Sequence, residues 1–191
     1  MMRRLLLALL LSTVKLPAQQ PVVEGYPESR VRVLIYEDLQ CPDCAEFRRM
    51  MDEKILPRYS TRVAFVHRDF PLAKHAWARQ AAIAARYFTE KKPELGLAYR
   101  RQTMASIQQT TEANFKDHLA EFARANGTDP AAAIASLGDA KLADLVERDF
   151  QDGVARGVAH TPTVLLNGRA FVETISFDEF SAALDEALTA H

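Results

Sequence analysis

The chain has 191 residues, 48% of them hydrophobic and 26% charged, with 24 basic against 25 acidic side chains and a formal net charge of -1. Such a composition can bury the core of one domain and excludes a disordered tail; the charge balance excludes the basic footprint of a nucleic-acid binder. No apolar run approaches the ~20 residues that a membrane-spanning helix needs. Only two cysteines occur, Cys41 and Cys44, too few for a disulfide scaffold or a four-cysteine zinc site.

At the N-terminus, Arg3 and Arg4 precede the apolar run Leu5–Val14, and Pro17 and Ala18 follow. A basic stretch, a short apolar stretch and a small residue make a secretory signal peptide, expected here over residues 1–18. Lys15 and Leu16 depart from the ideal pattern. Removing this segment takes away three positive charges and no acids. The remainder is expected in the periplasm or secreted, where thiols meet an oxidising environment.

Residues 19–30 read as a linker with a short edge strand near Val22. A β-branched run from Val31 to Tyr36 predicts a strand. Pro42 then stands where a helix has its first residue, a position that tolerates a missing N–H. Phe47, Met50, Met51 and Ile55 recur at helical spacing, and Pro57 is expected to end that helix. A second strand is predicted over Arg62–His67, completing a βαβ unit. From Lys74 to Asp149 the pattern is helical and alanine-rich. Trp77, Ala81, Ala84 and Phe88 mark one helix, and Leu95–Gln108 a second. A third is expected to be capped by Thr111 and to stop at Asn126-Gly127; shorter and longer helices follow Asp129-Pro130 and Asp139. Thr163–Leu166 and Arg169–Val172 flank Asn167-Gly168, a strong hairpin signal. Ser176 is expected to cap a final helix. The order implies an α/β fold: a mixed central sheet with helices on both faces, formed by residues 19–73 and 150–191, with residues 74–149 as a helical insertion.

Cys41-Pro42-Asp43-Cys44 is the sharpest chemical feature. A thiolate at a helix N-terminus meets unpaired backbone N–H groups and the positive end of the dipole, which lower its pKa. The two-residue spacer lets the second sulfur close a reversible disulfide onto the first, so exchange can run through a mixed disulfide. Cys41 is expected to be the exposed nucleophile and Cys44 the buried resolving thiol. Two other readings stand beside this one. A structural disulfide over so small a loop would stabilise a domain of this size little. A copper or zinc site would need further ligands, for which His67, His75 and His160 are candidates.

Three segments together resemble the DsbA-type thiol–disulfide oxidoreductases of the thioredoxin fold, in particular their DsbG-like and BdbD-like branch. They are Glu37-Asp38-Leu39-Gln40-Cys41-Pro42-Asp43-Cys44; Arg68-Asp69-Phe70-Pro71-Leu72 leading to His75; and Gly157-Val158-Ala159-His160-Thr161-Pro162-Thr163 followed by Asn167-Gly168. The resemblance implies a cis peptide bond at Thr161-Pro162, a loop that packs beside the dithiol, and backbone pairing of that loop (His160, Thr161, Pro162) with an extended substrate segment. Such pairing binds unfolded chains with little sequence preference. It also implies no cofactor beyond the Cys41–Cys44 disulfide. The implied partners are unfolded or partly folded exported proteins and a redox partner that resets the dithiol, without nucleic acid or stable membrane insertion.

Two departures from that family bear on the potential. Many relatives place a buried acid six positions before the first cysteine, where this chain has Ile35; Glu37 and Asp38 are candidate substitutes as a proton relay. Asp43 stands where strong oxidants often carry His, and a carboxylate there disfavours the thiolate. The expectation is a potential between the strong oxidants and thioredoxin, unless His160 supplies a cation near Cys41. An oxidant is favoured over a dedicated reductase, and over a non-enzymatic copper or zinc carrier. Trp77 reads as core, His75 as a capping or surface residue, and Phe115, Leu119 and Phe122 as helix packing. Glu90–Glu94 reads as a solvated loop. His118 and His191 receive no role.

Overall fold

The computed structural model describes residues 22–190; the expected signal peptide and His191 lie outside them. Five strands form one mixed sheet: β1 (Val22–Gly25), β2 (Arg32–Glu37), β3 (Ala64–Asp69), β4 (Thr163–Leu166) and β5 (Arg169–Val172), in the order β1-β3-β2-β4-β5. Only β2 and β3 run parallel, from Arg32 opposite Ala64 to Glu37 opposite Asp69. The other neighbours are antiparallel.

Alternation along β2 sends Val33 and Ile35 to one face and Leu34 and Tyr36 to the other, as a strand covered on both sides requires. Val33 and Ile35 join Phe47, Met51, Ile55, Phe65, Phe180 and Leu184 in a core built by α1 (Pro42–Met50) and α8 (Phe177–Thr189). On the opposite face Tyr36 and Phe70 pack with Phe150 of α7 (Ala140–Ala155). Gly153 lets α7 approach there: a Cβ would stand 2.6 Å from the Phe70 ring.

The hairpin of β4 and β5 has its expected bounds, with Asn167 and Gly168 both at positive φ. Helices start after Asp129 and Asp139 as expected, Asp139 capping its own by accepting the N–H groups of Lys141 and Leu142, and Asp129 also accepts the Ala131 N–H. Ser176 precedes α8 without a capping hydrogen bond from its side chain.

Several expectations are corrected. Pro57 does not end the helix of Pro42. A π-helical stretch, Met51–Ile55, joins α1 to α2 (Leu56–Tyr59). The wide turn accommodates a proline whose ring would clash with the carbonyl four residues back in a regular α-helix, and Met51, Ile55 and Tyr59 all remain buried. The second strand is Ala64–Asp69 rather than Arg62–His67, because Tyr59 accepts the N–H groups of Arg62 and Val63 in a turn. Thr111 is not a helix cap: it exchanges hydrogen bonds with Asn114, and α5 (Phe115–Ala125) starts after Asn114. The helix expected over Leu95–Gln108 is α4, Pro93–Ala105, begun by Pro93 at its first position.

Between β3 and β4 the chain is helical: α3 (Ala78–Lys91), α4, α5, α6 (Pro130–Ala135) and α7. Helix α7 passes through residue 149 without a break. Phe88, Tyr99, Phe115, Leu119 and Phe122 gather in one apolar cluster with Trp77, and that cluster includes Cys41 and Cys44. The helical block thus supplies one wall of the dithiol.

Candidate active site

Cys41 is the N-cap residue of α1, with extended backbone, and Pro42 occupies the first turn. Proline suits that position because its missing N–H would have had no helical partner. Both sulfurs are unbonded thiols in buried residues, Cys44 at 1% exposure as expected, but Cys41 at 5% rather than exposed, because the Thr161 loop and the helical block pack over it. The Cys41 thiol donates to the Thr161 carbonyl at 3.3 Å, and the Thr161-Pro162 bond is cis. The Asp38 N–H donates to the Cys44 sulfur at 3.4 Å.

These surroundings split the two thiols. The Cys41 pKa is lowered to about 6, first by a hydrogen bond from Cys44; burial opposes this, while Thr161 and the backbone N–H groups of Cys44 and Asp43 add to it. The last two are the helix N-terminus at work. Cys44 is pushed well above the ordinary thiol range, first by burial and then by its bond to Cys41, against which the Asp38 N–H pulls. The Thr161 hydroxyl is buried with no partner among the described residues. While Cys41 keeps its proton, the thiol points at the carbonyl; once the proton leaves, the hydroxyl is the donor that favours the sulfur anion.

A cleft of about 290 Å³ opens beside Cys41, lined also by Asp43, Leu72, Lys74, His160 and Thr161. His160 is largely exposed and pairs with Glu173 at 3.1 Å. Glu173 also donates its N–H to the Pro162 carbonyl at 2.8 Å. The loop of His160, Thr161 and Pro162 is therefore tied to the turn after β5, and the His160 imidazole has an acid of its own beside it.

Ile35 is buried in the core beside Phe47 and Met51. Glu37 and Asp38 are both buried, with their carboxylates engaged. Glu37 binds His67 and Arg100, each at 2.9 Å. Burial would raise its pKa, but His67 and Arg100 outweigh that and hold it low. Arg100 and Arg86 both bond Asp69, and Arg86 bonds Asp149, which also accepts from Arg68 at 2.7 Å. Glu24 joins from β1, contacting His67 at 3.3 Å and Arg48 at 2.7 Å. Burial pushes Glu24 up, yet these partners leave it well below the carboxylate range. His67 is raised: burial opposes its charge and is overcome by Glu37 and Glu24.

The Asp38 carboxylate accepts from Gln40 N–H at 2.7 Å and from Leu72 N–H at 2.8 Å, and meets His75 Nδ1 at 2.7 Å. Expected as a capping or surface residue, His75 is instead tied to the residue that contacts Cys44. Trp77 is core as expected, stacked on Phe115 at 5.7 Å between ring centres, and its N–H is held by the Gln40 side chain at 2.8 Å. Sequence reasoning missed Gln40, although its place beside Cys41 was a signal. The three histidines considered as metal ligands are each spent on carboxylates. Among the described residues no group of three or more His, Cys, Asp or Glu is placed to hold a metal ion, and no helix is long and apolar enough to cross a membrane.

A thioredoxin family model matches residues 18–186. The chain belongs to the thioredoxin family. Within its fold, the structure is similar to oxidised BdbD from Bacillus subtilis, with a TM-score of 0.80 and 20% identity over 88% of this chain and 93% of that one. It is also similar to α-DsbA1 from Wolbachia pipientis, with a TM-score of 0.76 and 20% identity over 92% of this chain and 94% of that one. The fold is thus the DsbA-type elaboration of thioredoxin, with helices between β3 and β4. A curated relative, the Na(+)/H(+) antiporter NhaA of Herminiimonas arsenicoxydans, is 27% identical over 77% of this chain, a match that spans only 22% of that protein's length.

Proposed function

We propose that this member of the thioredoxin family is an exported thiol–disulfide oxidoreductase that passes disulfides to protein substrates, resident in the periplasm or secreted. The observation that carries the reading is the unequal pair at the start of α1. Cys41 has its pKa lowered to about 6, while its neighbour Cys44 is pushed the other way. One sulfur is anionic at neutral pH and the other waits as a thiol, the arrangement that thiol–disulfide exchange needs.

In the proposed cycle, a substrate thiolate attacks the Cys41 sulfur of the Cys41–Cys44 disulfide, and Cys44 leaves. A second substrate thiolate then attacks its own sulfur in the mixed disulfide, and Cys41 leaves. The substrate gains a disulfide and the protein gains two electrons, which a redox partner must remove. The low pKa of Cys41 makes it a good leaving group. Thr161 and Pro162 dock the extended substrate by backbone pairing, and Pro42 and Asp43 shape the helix start. No cofactor beyond the disulfide takes part.

The burial of Cys41 in the lining of a cleft supports substrates that are unfolded or partly folded, since a flexible loop can enter where a rigid surface cannot. Residues 19–73 and 150–191 carry the exchange site in this reading, and residues 74–149 form the helical insertion beside it.

The test is a redox equilibrium against glutathione, followed by incubation of the oxidised protein with a reduced, unfolded, cysteine-containing substrate. Disulfide transfer that Cys41→Ser abolishes is the expected result. Efficient reduction of insulin without transfer to the reduced substrate would make the protein a dedicated reductase. Stoichiometric copper or zinc retained through dialysis, with no exchange, would make it a metal carrier.

A further inference from the structure

Asp38 holds both ends of the dithiol turn by its backbone. Its N–H donates to the Cys44 sulfur at 3.4 Å and its carbonyl accepts from Cys41 N–H at 3.0 Å. Those contacts are only as well placed as the Asp38 main chain, and the Asp38 carboxylate decides where that chain sits. The carboxylate is fully buried and has three partners. Gln40 N–H closes the local turn, while Leu72 N–H and His75 Nδ1 reach in from the loop after β3. The His75 side chain keeps 15% of its surface exposed, so it closes the arrangement from the outside. The Gln40 side chain adds a parallel tie to Trp77 N–H.

We propose that Asp38 and His75 are a positioning couple for the resolving step of disulfide exchange, aiming the backbone N–H that meets the developing anion on Cys44. The inference rests on the dithiol reading above and assigns these two residues a task other than proton relay. A clamp serving stability alone would not need to act through the residue that touches both cysteines. A hydrogen bond to an ionised acceptor is roughly twice as strong as a neutral one, so the N–H matters most when Cys44 becomes a thiolate.

Oxidised glutathione separates the two steps. Cys41 thiolate attacks one of its sulfurs, forming the Cys41–glutathione disulfide and releasing the first glutathione as thiolate. Cys44 then gives its proton to solvent and attacks the Cys41 sulfur. The Cys41–Cys44 bond forms, the bond to glutathione breaks, and the second glutathione leaves and is protonated. The dithiol loses two electrons and oxidised glutathione gains them. Positioning by Asp38 and His75 acts on the second attack.

The experiment follows both steps by acid quench and mass spectrometry in the wild-type protein, His75→Leu and His75→Asn, with urea unfolding of each as a check of folding. In His75→Leu, which removes the bond to Asp38, formation of the mixed disulfide stays within about twofold while its resolution slows about tenfold. In His75→Asn, which keeps a side-chain donor, resolution recovers to within about threefold of wild type. Unchanged resolution in His75→Leu overturns the proposal, as does equal slowing of both steps, which would mean general loosening. A wild-type protein that forms no mixed disulfide would instead sink the dithiol reading, and the inference with it.

Discussion

The sulfur of Cys41 and the carbonyl oxygen of Thr161 lie 3.3 Å apart across 120 residues of sequence. The contact brings the hydroxyl of Thr161 into the same buried spot, where it has no partner among the described residues. Thr161→Val keeps the shape and removes this donor. The Cys41 pKa is expected to move up from about 6 toward the ordinary thiol range, because Thr161 is one of the groups that lower it. Below about pH 6, where Cys41 keeps its proton, stability should hold or improve slightly, since an unpaired buried hydroxyl is replaced by a methyl; above it, the raised Cys41 pKa takes stability away. Alkylation at pH 6 and pH 9, with a urea melt, checks both: the slowing appears at pH 6 alone.

The pH dependence of the dithiol follows from the same group. Below about pH 6 the reduced protein carries both thiol protons; above it Cys41 is a thiolate. Trapping by iodoacetamide should rise through that pH and then level. The reduction potential, followed against pH, should change slope there from about 60 to about 30 mV per pH unit, as two protons per two electrons become one. A single slope up to pH 8 would show that the helix start does not hold the anion.

The chain of ions from Glu24 through His67, Glu37, Arg100, Asp69 and Arg86 to Asp149 is buried along its middle. Such groups are costly when one partner is lost. Arg100→Leu takes one buried cation from both Glu37 and Asp69, leaving them His67 and Arg86 alone, and is expected to cost about 3 kcal/mol, read from the urea midpoint and slope. The pH profile has two limbs. Glu24, Glu37 and Asp69 have lowered pKa values, so their contribution is present above the unfolded values near ~4 and is lost as pH falls through the folded ones. His67 is raised, so its contribution is full below about 6.5 and is lost as pH rises through its folded value.

Gly153 is a test of packing against propensity. Alanine is the better helix former by about 1 kcal/mol, but a Cβ here would stand 2.6 Å from Phe70 and 3.0 Å from Tyr36. Phe70 is itself stacked on Phe150 at 4.6 Å between ring centres and cannot swing aside freely. The clash wins: Gly153→Ala is expected to lower stability by about 1–3 kcal/mol, measured by urea unfolding. Gly138, with open space around its α-carbon, is the control.

What the sequence made legible was local. The hairpin at Asn167-Gly168, the helix starts at Asp129 and Asp139 and the dithiol before a helix-opening proline all announce themselves within a few residues, and the structure has them in place. The ion network was not legible, because Glu37, His67, Asp69, Arg86, Arg100 and Asp149 are scattered along the chain and look like solvated charges until the sheet and α3, α4 and α7 are assembled. The tie between Asp38 and His75 hid for the same reason. Pro57 misled because its usual effect was cancelled by the π-helical turn before it, which leaves no compositional mark.

Both margins of the sheet are strands of only four residues, β1 and β5. On β1, Glu24 is held inward against Arg48, Arg101 and His67, and β5 begins with the exposed Arg169. Short edges carrying charge are poor templates for adding further backbone. In the role proposed above, where the substrates are unfolded chains, such flanks would keep the protein from nucleating the aggregation of what it handles.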